Sequence, residues 1–453
     1  YHTKSNAIPR LSEGISKLLK EACPEAITST LSESQERVLE LVRKGNNVLI
    51  LGSAGCGKST VIKEIKSEFK NKKVYITSTT GISAYNIQGV TLHSFMGFGT
   101  GEGPLHTLLS RIRRRKGYTQ RLIETEILIV DEISMMSAEL FEKVDTILRE
   151  IRRIQLPFGG IQMIFSGDLL QLKPVIKETE WNPDPDQRLI FESSRFSEYF
   201  ETVVLTTNFR QQHDVIYQGL LTNIRRNTLT SGDLQLLTDC LGKKPPKGVP
   251  FLVPTNKAAG EINKRETLKL KTPKFTYTTV FQKEIHTSSH DETLSDMYLA
   301  ELKNQFKQKD LDELVLRAGS RVMLTRNLDV SSGLVNGALG TISSACKGGV
   351  SVEFDNGSTK DLVKEKWELG TDDFTVTASQ IPLILAYAIT IHKSQSLTLE
   401  NARIDLARCF ADHMVYVALS RVKSLDGLYL ESFDASKVMV DKKTLEYLDS
   451  IPE

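Results

Sequence analysis

Residues 52–60 read GSAGCGKST, which fits GxxxxGK[S/T]. Gly52, Ser53, Ala54, Gly55, Cys56, Gly57, Lys58, Ser59 and Thr60 follow an apolar run and open a helical stretch. In that context the glycines let backbone N–H groups wrap phosphate, and the helix N-terminus favours negative charge. Lys58 would neutralise the β- and γ-phosphates, and the Ser59 hydroxyl would ligate Mg²⁺. A second apolar run, ILIVDEIS at 127–134, ends in two acids. Asp131 is placed to hold Mg²⁺, directly or through water. Glu132 is the candidate base for the attacking water, which points to hydrolysis rather than binding alone.

Other polar strand ends are less specific. FSGDLLQLKPV at 165–175 offers Gln171 for the γ-phosphate and Asp168 for the water shell of a metal; a plain hydrogen-bonded loop fits equally. TTNFRQ at 206–211 and VYVALSRV at 415–422 each place an arginine just beyond a β-rich run. Arg210 and Arg421 are therefore candidates for stabilising charge on the γ-phosphate, with a surface salt bridge as the alternative. AITIHKSQSLTLE at 388–400 stops an apolar run at His392 and Lys393, which by themselves suggest acid–base chemistry, with a capped strand end as the alternative. The stretch 77–99, TSTTGISAYNIQGVTLHSFMGFG, mixes hydroxyls and glycines with His93 and the aromatics Tyr85, Phe95 and Phe98. Small polar groups suit phosphates and aromatics suit bases, although the aromatics equally suit a core. RIRRRKG at 111–117 is either a nucleic-acid contact or a solvated face.

These residues need a scaffold that gathers strand ends. Short apolar runs at 47–52, 73–79, 126–132, 161–168 and 202–208 alternate with helical stretches, one continuing to Ile65 and one spanning about Ser137 to Arg153. That predicts a parallel sheet covered on both faces. Residues 99–121 interrupt it as a small Gly- and Arg-rich insertion. Between about 273 and 378 the texture becomes short antiparallel strands with a DNG turn, read as an inserted β-barrel. FLVPTN at 251–256, 382–395 and 415–421 return to the α/β texture, so the second α/β unit is split.

The chain has 453 residues, enough for several cores, with 40% hydrophobic and 25% charged residues, as in a globular protein. No apolar run reaches membrane-spanning length, and no internal repeat or low-complexity tract is present. Cys23, Cys56, Cys240, Cys346 and Cys409 are scattered without a CxxC pair, which argues against disulfides or zinc and for a reducing compartment. A net charge of +2 is neutral on nucleic-acid binding. The start at Tyr1, without Met, reads as a fragment.

Taken in order, the motifs resemble the Pif-type DNA helicases of superfamily 1B, relatives of the RecD motor. LSESQERVLELV (31–42), the GKS loop, TSTTGISAYNIQGVTLHSF, VDEISMMSAELFEKVDTILREIRR (130–153), PFGGIQMIFSGDLLQLKPV (157–175), LTTNFRQ, GSRVMLTRNLDVSSGLVNGALGTI (319–342), IHKSQSLTL and YVALSRVKSLDGL (416–428) carry the likeness. It implies an N-terminal extension (1–30), a RecA-like domain over 31–205 with a wedge at about 99–121, a second over 206–272 and 379–453, and an SH3-like domain over 273–378. It implies ATP in the cleft with Gln35 reading adenine, Gln171 sensing the γ-phosphate, and Arg210 and Arg421 as arginine fingers from the second domain.

DNA contacts would fall on Thr80, His93, Ser94, Phe95, Thr255, Asn256, Asn336, His392 and Lys393, with Ser394 and Gln395 toward the nucleotide. The implied activity is ATP- and Mg²⁺-dependent 5′-to-3′ movement on single-stranded DNA. It would unwind duplexes, forks, RNA–DNA hybrids and G-quadruplexes in replication, recombination, repair and telomere maintenance. The rivals are a translocase or stimulated ATPase without strand separation, and a non-catalytic binding module. The expected partners are single strands and single/double-strand junctions, with no membrane, and the expected form is a monomer that could dimerise on DNA. The expected site is intracellular, the nucleus before the mitochondrion, with viral or bacterial origin left open. Three residues depart from the family pattern. Cys56 stands for Thr, which the backbone cradle tolerates. Lys173 replaces a proline and would loosen its turn. Ser396 replaces a glycine and would alter its loop.

Overall fold

The computed structural model describes residues 31–451 apart from 81–82, 85–86, 88, 100, 102, 175–187, 247, 287–291, 309–310, 330, 335–337, 371–373 and 396. The expectations for residues 1–30, Tyr85, Asn336 and Ser396 lie outside the described residues.

Six strands, β1 (Val48–Gly52), β2 (Val74–Ser78), β3 (Val90–Thr91), β4 (Ile127–Asp131), β5 (Gln162–Gly167) and β6 (Glu201–Leu205), form one sheet in the order β3-β2-β4-β5-β1-β6. Every neighbouring pair is parallel. All six strands therefore end on one edge, where the loops after β1, β4, β5 and β6 meet. Alternation within each strand supplies two cores. Val48, Ile50, Ile127, Ile129 and Ile164 face one layer. Leu49, Leu51, Leu128, Val130, Met163 and Phe165 face the other.

The second layer holds an aromatic cluster. Phe141, on the helix Ala138–Arg152, lies with ring centroids 5.7 Å from Phe158, 6.0 Å from Phe165 and 5.6 Å from Phe196. Phe141→Ala is expected to cost about 3–5 kcal/mol, because neighbouring rings cannot collapse into the void. Chemical denaturation of the full chain checks this, and a loss below about 1 kcal/mol would contradict the packing.

The insertion at 99–121 is two helices, Leu105–Arg114 and Lys116–Glu124, whose Leu108, Leu109, Ile112 and Leu122 join the same core. Its basic run serves structure in part: Arg111 donates to the Phe98 carbonyl at 2.8 Å. Arg113 faces Glu150 at 3.5 Å on the surface.

A second sheet, of Ala388–Thr390, Phe251–Val253, Ala402–Asp405 and Leu428–Ser432 in that order, is also parallel. Between its first two strands in sequence lies antiparallel structure. It comprises a five-stranded sheet running from Thr359–Leu362 to Leu383–Leu385, a three-stranded sheet, and a two-stranded one.

Two sequence readings change. The run 382–395 does not return as one piece. Leu383–Leu385 pairs antiparallel with Arg321–Leu324, and only Ala388–Thr390 joins the parallel sheet. The VYVALSR run is not β-rich structure but a helix, Met414–Leu419, with every residue buried. Burial on all sides erases the periodicity that separates helix from strand, and its β-branched valines bias the reading. Among the described residues, no helix is long and apolar enough to cross a membrane.

Candidate nucleotide site between the two parallel sheets

The loop after β1 carries φ of +88° at Gly55 and +83° at Gly57, values that a side chain strains. Space is also closed. A Cβ at Gly55 would lie 2.5 Å from Arg210 Cβ, and one at Gly57 would lie 2.6 Å from Gln35 Nε2. Lys58 folds over the loop, its Nζ donating to the carbonyls of Gly52 (2.8 Å) and Ser53 (2.9 Å). Ser59 and Thr60 stay exposed at the helix start.

Gln35 is buried and does two things. It completes the capping box with Ser32 that starts the helix Glu33–Arg43, and its Nε2 reaches the Gly57 carbonyl at 3.4 Å. It therefore sits beside the phosphate loop.

Asp131 ends β4 and Glu132 follows it. Burial, and then the neighbouring Glu132, push the Asp131 carboxyl up to about 6, against the pull of Lys58. Glu132 is held at φ +57°, a conformation that side chains seldom adopt and that often marks functional sites. The segment read as a phosphate-contacting hydroxyl stretch positions these acids instead. Thr77 donates to the Ile129 carbonyl (2.7 Å), Ser78 to Asp131 O (3.1 Å), Thr79 to Glu132 O (2.8 Å), and Ser83 to Asp131 Oδ2 (3.1 Å).

The second sheet brings further groups to this edge. Gln395 Nε2 lies 3.4 Å from Glu132 Oε2. Ser394 does not face the nucleotide loop as expected; its hydroxyl turns back to the Ile391 carbonyl at 2.8 Å. Arg421 is fully buried and bonded to Val417 O (2.8 Å) and Ser420 Oγ (2.7 Å). Burial, then the nearby Arg210, lower its pKa to about 10, so it stays a cation at neutral pH. Arg210 itself follows β6 and reaches across to the Ser420 carbonyl at 3.0 Å. Both arginines feel Glu132.

Asp131 Oδ1, Gln171 Oε1 and Gln395 Oε1 are buried with no hydrogen-bond partner. Buried acceptors in that condition suit a cation and phosphate-bound water. Among the described residues, no three His, Cys, Asp or Glu converge on one metal position. A divalent ion held by Ser59 and Asp131 would thus take further oxygens from phosphate and water, as Mg²⁺ commonly does.

The remaining expected residues divide. Thr80 accepts from Ser83 N at 3.3 Å, and Ser94 is exposed. The His93 ring meets Phe98 edge-on at 5.6 Å. Thr255 and Asn256 are exposed at the start of the helix Asn256–Leu268. Lys393 is exposed, and burial lowers the pKa of half-buried His392, which makes it neutral at pH 7. Phe95 and Phe98, by contrast, are fully buried; Phe95 lies beneath the Arg121 guanidinium at 5.1 Å. In this arrangement a base cannot reach either ring, so the stacking expectation for Phe95 is corrected to a core role. Asp168 is tied to Arg225 at 2.7 Å rather than turned to a metal's water shell.

Lys173 does not simply loosen its turn. Its Nζ bridges Asp412 (2.8 Å) and Asp441 (3.1 Å), joining the loop after β5 to the second unit. Lys173→Ala is expected to cost about 1 kcal/mol or less, because the clasp is partly solvated. Burial opposes both charges, yet the two carboxylates raise Lys173 above 10.5, and the Thr444 hydroxyl, then Lys173, depress Asp441 below 3.8. The contribution is therefore full between those ordinary values. It fades as pH falls through the depressed Asp441 value or rises through the raised Lys173 value. Melting curves of both chains across pH check this; a difference that stays constant from neutral pH into strong acid would contradict it.

Sequence reasoning missed Phe209 and Tyr416. Phe209 is 43% exposed, and its ring would lie 3.2 Å from a Cβ at Gly57. An aromatic just past a β-rich run was the available signal. Tyr416 was hidden in an apolar run.

Residues 30–225 match the family described as PIF1-like helicase, and residues 301–344 match the DNA helicase Pif1, 2B domain. The chain is 35% identical over 428 residues to the ATP-dependent DNA helicase PIF1 of Danio rerio, covering 92% of this chain and 64% of that one. It thus spans less than two thirds of that relative. The Homo sapiens ATP-dependent DNA helicase PIF1 is 33% identical with similar coverage. Among solved structures, Pif1 helicase from Candida albicans superposes with a TM-score of 0.78 at 32% identity, over 92% of this chain and 99% of that one. Bacteroides Pif1 in complex with ADP-AlF3 and ssDNA gives 0.75 at 30%, over 92% and 96%. A phosphate loop, two strand-end acids and two arginines gathered between parallel RecA-like sheets agree with these matches, and the chain belongs to the PIF1-like helicase family.

Proposed function

We propose that the chain is an ATP-driven DNA helicase that moves 5′ to 3′ on single-stranded DNA. The observation that carries this reading is the split site. Lys58, Asp131 and Glu132 lie on the first sheet, while Arg421 and Gln395 reach Glu132's neighbourhood from the second. A site divided between two units couples its chemistry to their relative movement.

Lys58 and the cradle amides bind and orient the triphosphate. Ser59 and Asp131 would hold magnesium, which would neutralise phosphate charge when bound. Glu132 takes the proton of the attacking water as the γ-phosphate bond to ADP breaks. Arg210 and Arg421 meet charge on the γ-phosphate, and Gln171 senses its presence.

Strand contacts fall to Thr80, His93, Ser94, Thr255, Asn256, His392 and Lys393, whose small hydroxyls, amides and cations suit phosphate. The antiparallel insert is read as the SH3-like domain and the two-helix insertion as the wedge. Forks are favoured substrates, and one related structure carries the description of DNA unwinding at forked dsDNA by two coordinating Pif1 helicases. RNA–DNA hybrids and G-quadruplexes belong to the same reading through the family resemblance.

Steady-state ATPase with and without single-stranded DNA tests the reading, and an absence of DNA stimulation would sink it. Chelation of divalent ions should abolish turnover. Strand displacement on a 5′-tailed duplex then separates a helicase from a translocase without unwinding.

A further inference from the structure

The phosphate loop is also bonded to a tyrosine of the second unit. The Ala54 N–H, an amide of the phosphate loop, donates to Tyr416 Oη at 3.1 Å. The same hydroxyl donates to Asp168 Oδ2 at 3.0 Å, and Arg225 Nη2 donates to Asp168 Oδ1 at 2.7 Å. The tyrosine stands on the helix Met414–Leu419, Asp168 just after β5, and Arg225 on the helix Val215–Arg226. A continuous chain of hydrogen bonds thus runs from the phosphate loop to Tyr416 of the second unit, back to Asp168 at the end of β5 in the first, and on to Arg225.

Every member is buried or nearly so. Asp168 is fully buried, Tyr416 is 3% exposed, and the Arg225 side chain is 20% exposed. Burial raises the Tyr416 phenol far above neutral pH, with Asp168 adding to the effect, so it remains a proton donor. Burial opposes the charge on Asp168, but Arg225 outweighs it and holds the carboxylate ionised. The polarity of the chain is therefore defined: Arg225 to Asp168, Tyr416 to Asp168, and Ala54 N–H to Tyr416. Of these three side chains, the phenol is the one bonded to a backbone amide of the phosphate loop.

We propose that Tyr416 is a positioning residue of the nucleotide site, contributed by the second unit, whose hydroxyl competes with phosphate for the Ala54 N–H and reports the outcome through Asp168 to Arg225. An arriving phosphate oxygen takes the amide, the phenol keeps only Asp168, and the second unit loses one tether to the loop. The backbone amide is an obligatory donor, so one of the two acceptors must hold it. A phenol that only filled space would not need its oxygen at this position.

This inference rests on the ATP-binding reading of the loop and concerns how that site is coupled. The test uses the full chain and its Tyr416→Phe variant, which keeps the ring and removes the oxygen. Equilibrium binding of a fluorescent N-methylanthraniloyl-ADP, in magnesium, is the primary measurement. Removing the competitor should tighten binding about two- to ten-fold, the range of one ordinary hydrogen bond. In the ATPase assay, KM for ATP should fall and the stimulation of kcat by single-stranded DNA should shrink, a split that a packing defect would not produce. Unchanged or weaker nucleotide binding would overturn the assignment.

A second measurement needs no substitution that empties the site. Fluorotyrosine at position 416 should shift its ¹⁹F resonance when ADP binds, and an unshifted resonance counts against the proposal. The two readings fail separately. If the native chain shows no DNA-stimulated ATPase, the helicase reading falls, while the ratio of nucleotide affinities still reports on Tyr416. If ATPase is normal and that ratio is one, only the Tyr416 role falls.

Discussion

Lys58→Ala is expected to lower ATP turnover by more than roughly 100-fold, the loss typical when one pre-placed charge-stabilising donor is removed. The reason is geometric. Lys58 Nζ already lies within 2.9 Å of two carbonyls at the start of the phosphate loop. Its ammonium is thus anchored beside the cradle before phosphate arrives, and no other described lysine approaches the loop in this way. Alanine keeps the helix, because alanine is the best helix former, so the scaffold should survive. Binding of single-stranded DNA, measured by fluorescence anisotropy, should remain, since the proposed strand contacts lie elsewhere. Retained turnover in Lys58→Ala would refute the assigned role. Loss of both turnover and DNA binding would indicate unfolding, which a melting curve distinguishes.

Glu132→Gln should reduce turnover by about 10²- to 10⁴-fold, the range of a lost general base. Unlike the lysine change it should spare nucleotide binding, because the amide keeps the shape of the side chain and its contact with Gln395. Two features make Glu132, rather than Asp131, the candidate base. Asp131 has one carboxylate oxygen engaged by Ser83 and the other unpartnered within the core, a disposition that suits a cation. Glu132 is turned by its left-handed backbone to face Gln395 and the two arginines. Single-turnover hydrolysis with prebound ATP is the direct measurement. Wild-type rates in that assay would move the base to another residue.

The phosphate site was legible because its chemistry is local. A cradle for phosphate needs successive backbone amides, and these can come only from adjacent residues, so GSAGCGKST declares itself. The two acids likewise end one apolar strand, and alternation of Val48, Ile50 and Leu49, Leu51 announces a sheet buried on both faces. The hydroxyls at 77–83 were visible as a group but not in their role. Their partners on and just after β4 are some 50 residues away, across a strand pair that sequence cannot register. Phe95 shows the reverse error: an aromatic among polar residues looks exposed until its neighbours are known.

What the sequence alone determined was therefore the set of short-range devices: the phosphate loop, the strand-end acids, the alternation that makes the first sheet, and the ordered motifs that mark the family. Tertiary structure alone decided which groups complete them. Tyr416 meets Ala54 across 362 residues, Gln395 meets Glu132 across 263, and Lys173 meets Asp412 across 239. Such pairs leave no periodicity or spacing in the chain. They exist because parallel strands end on one edge, and because the second sheet is packed against that edge by its own core.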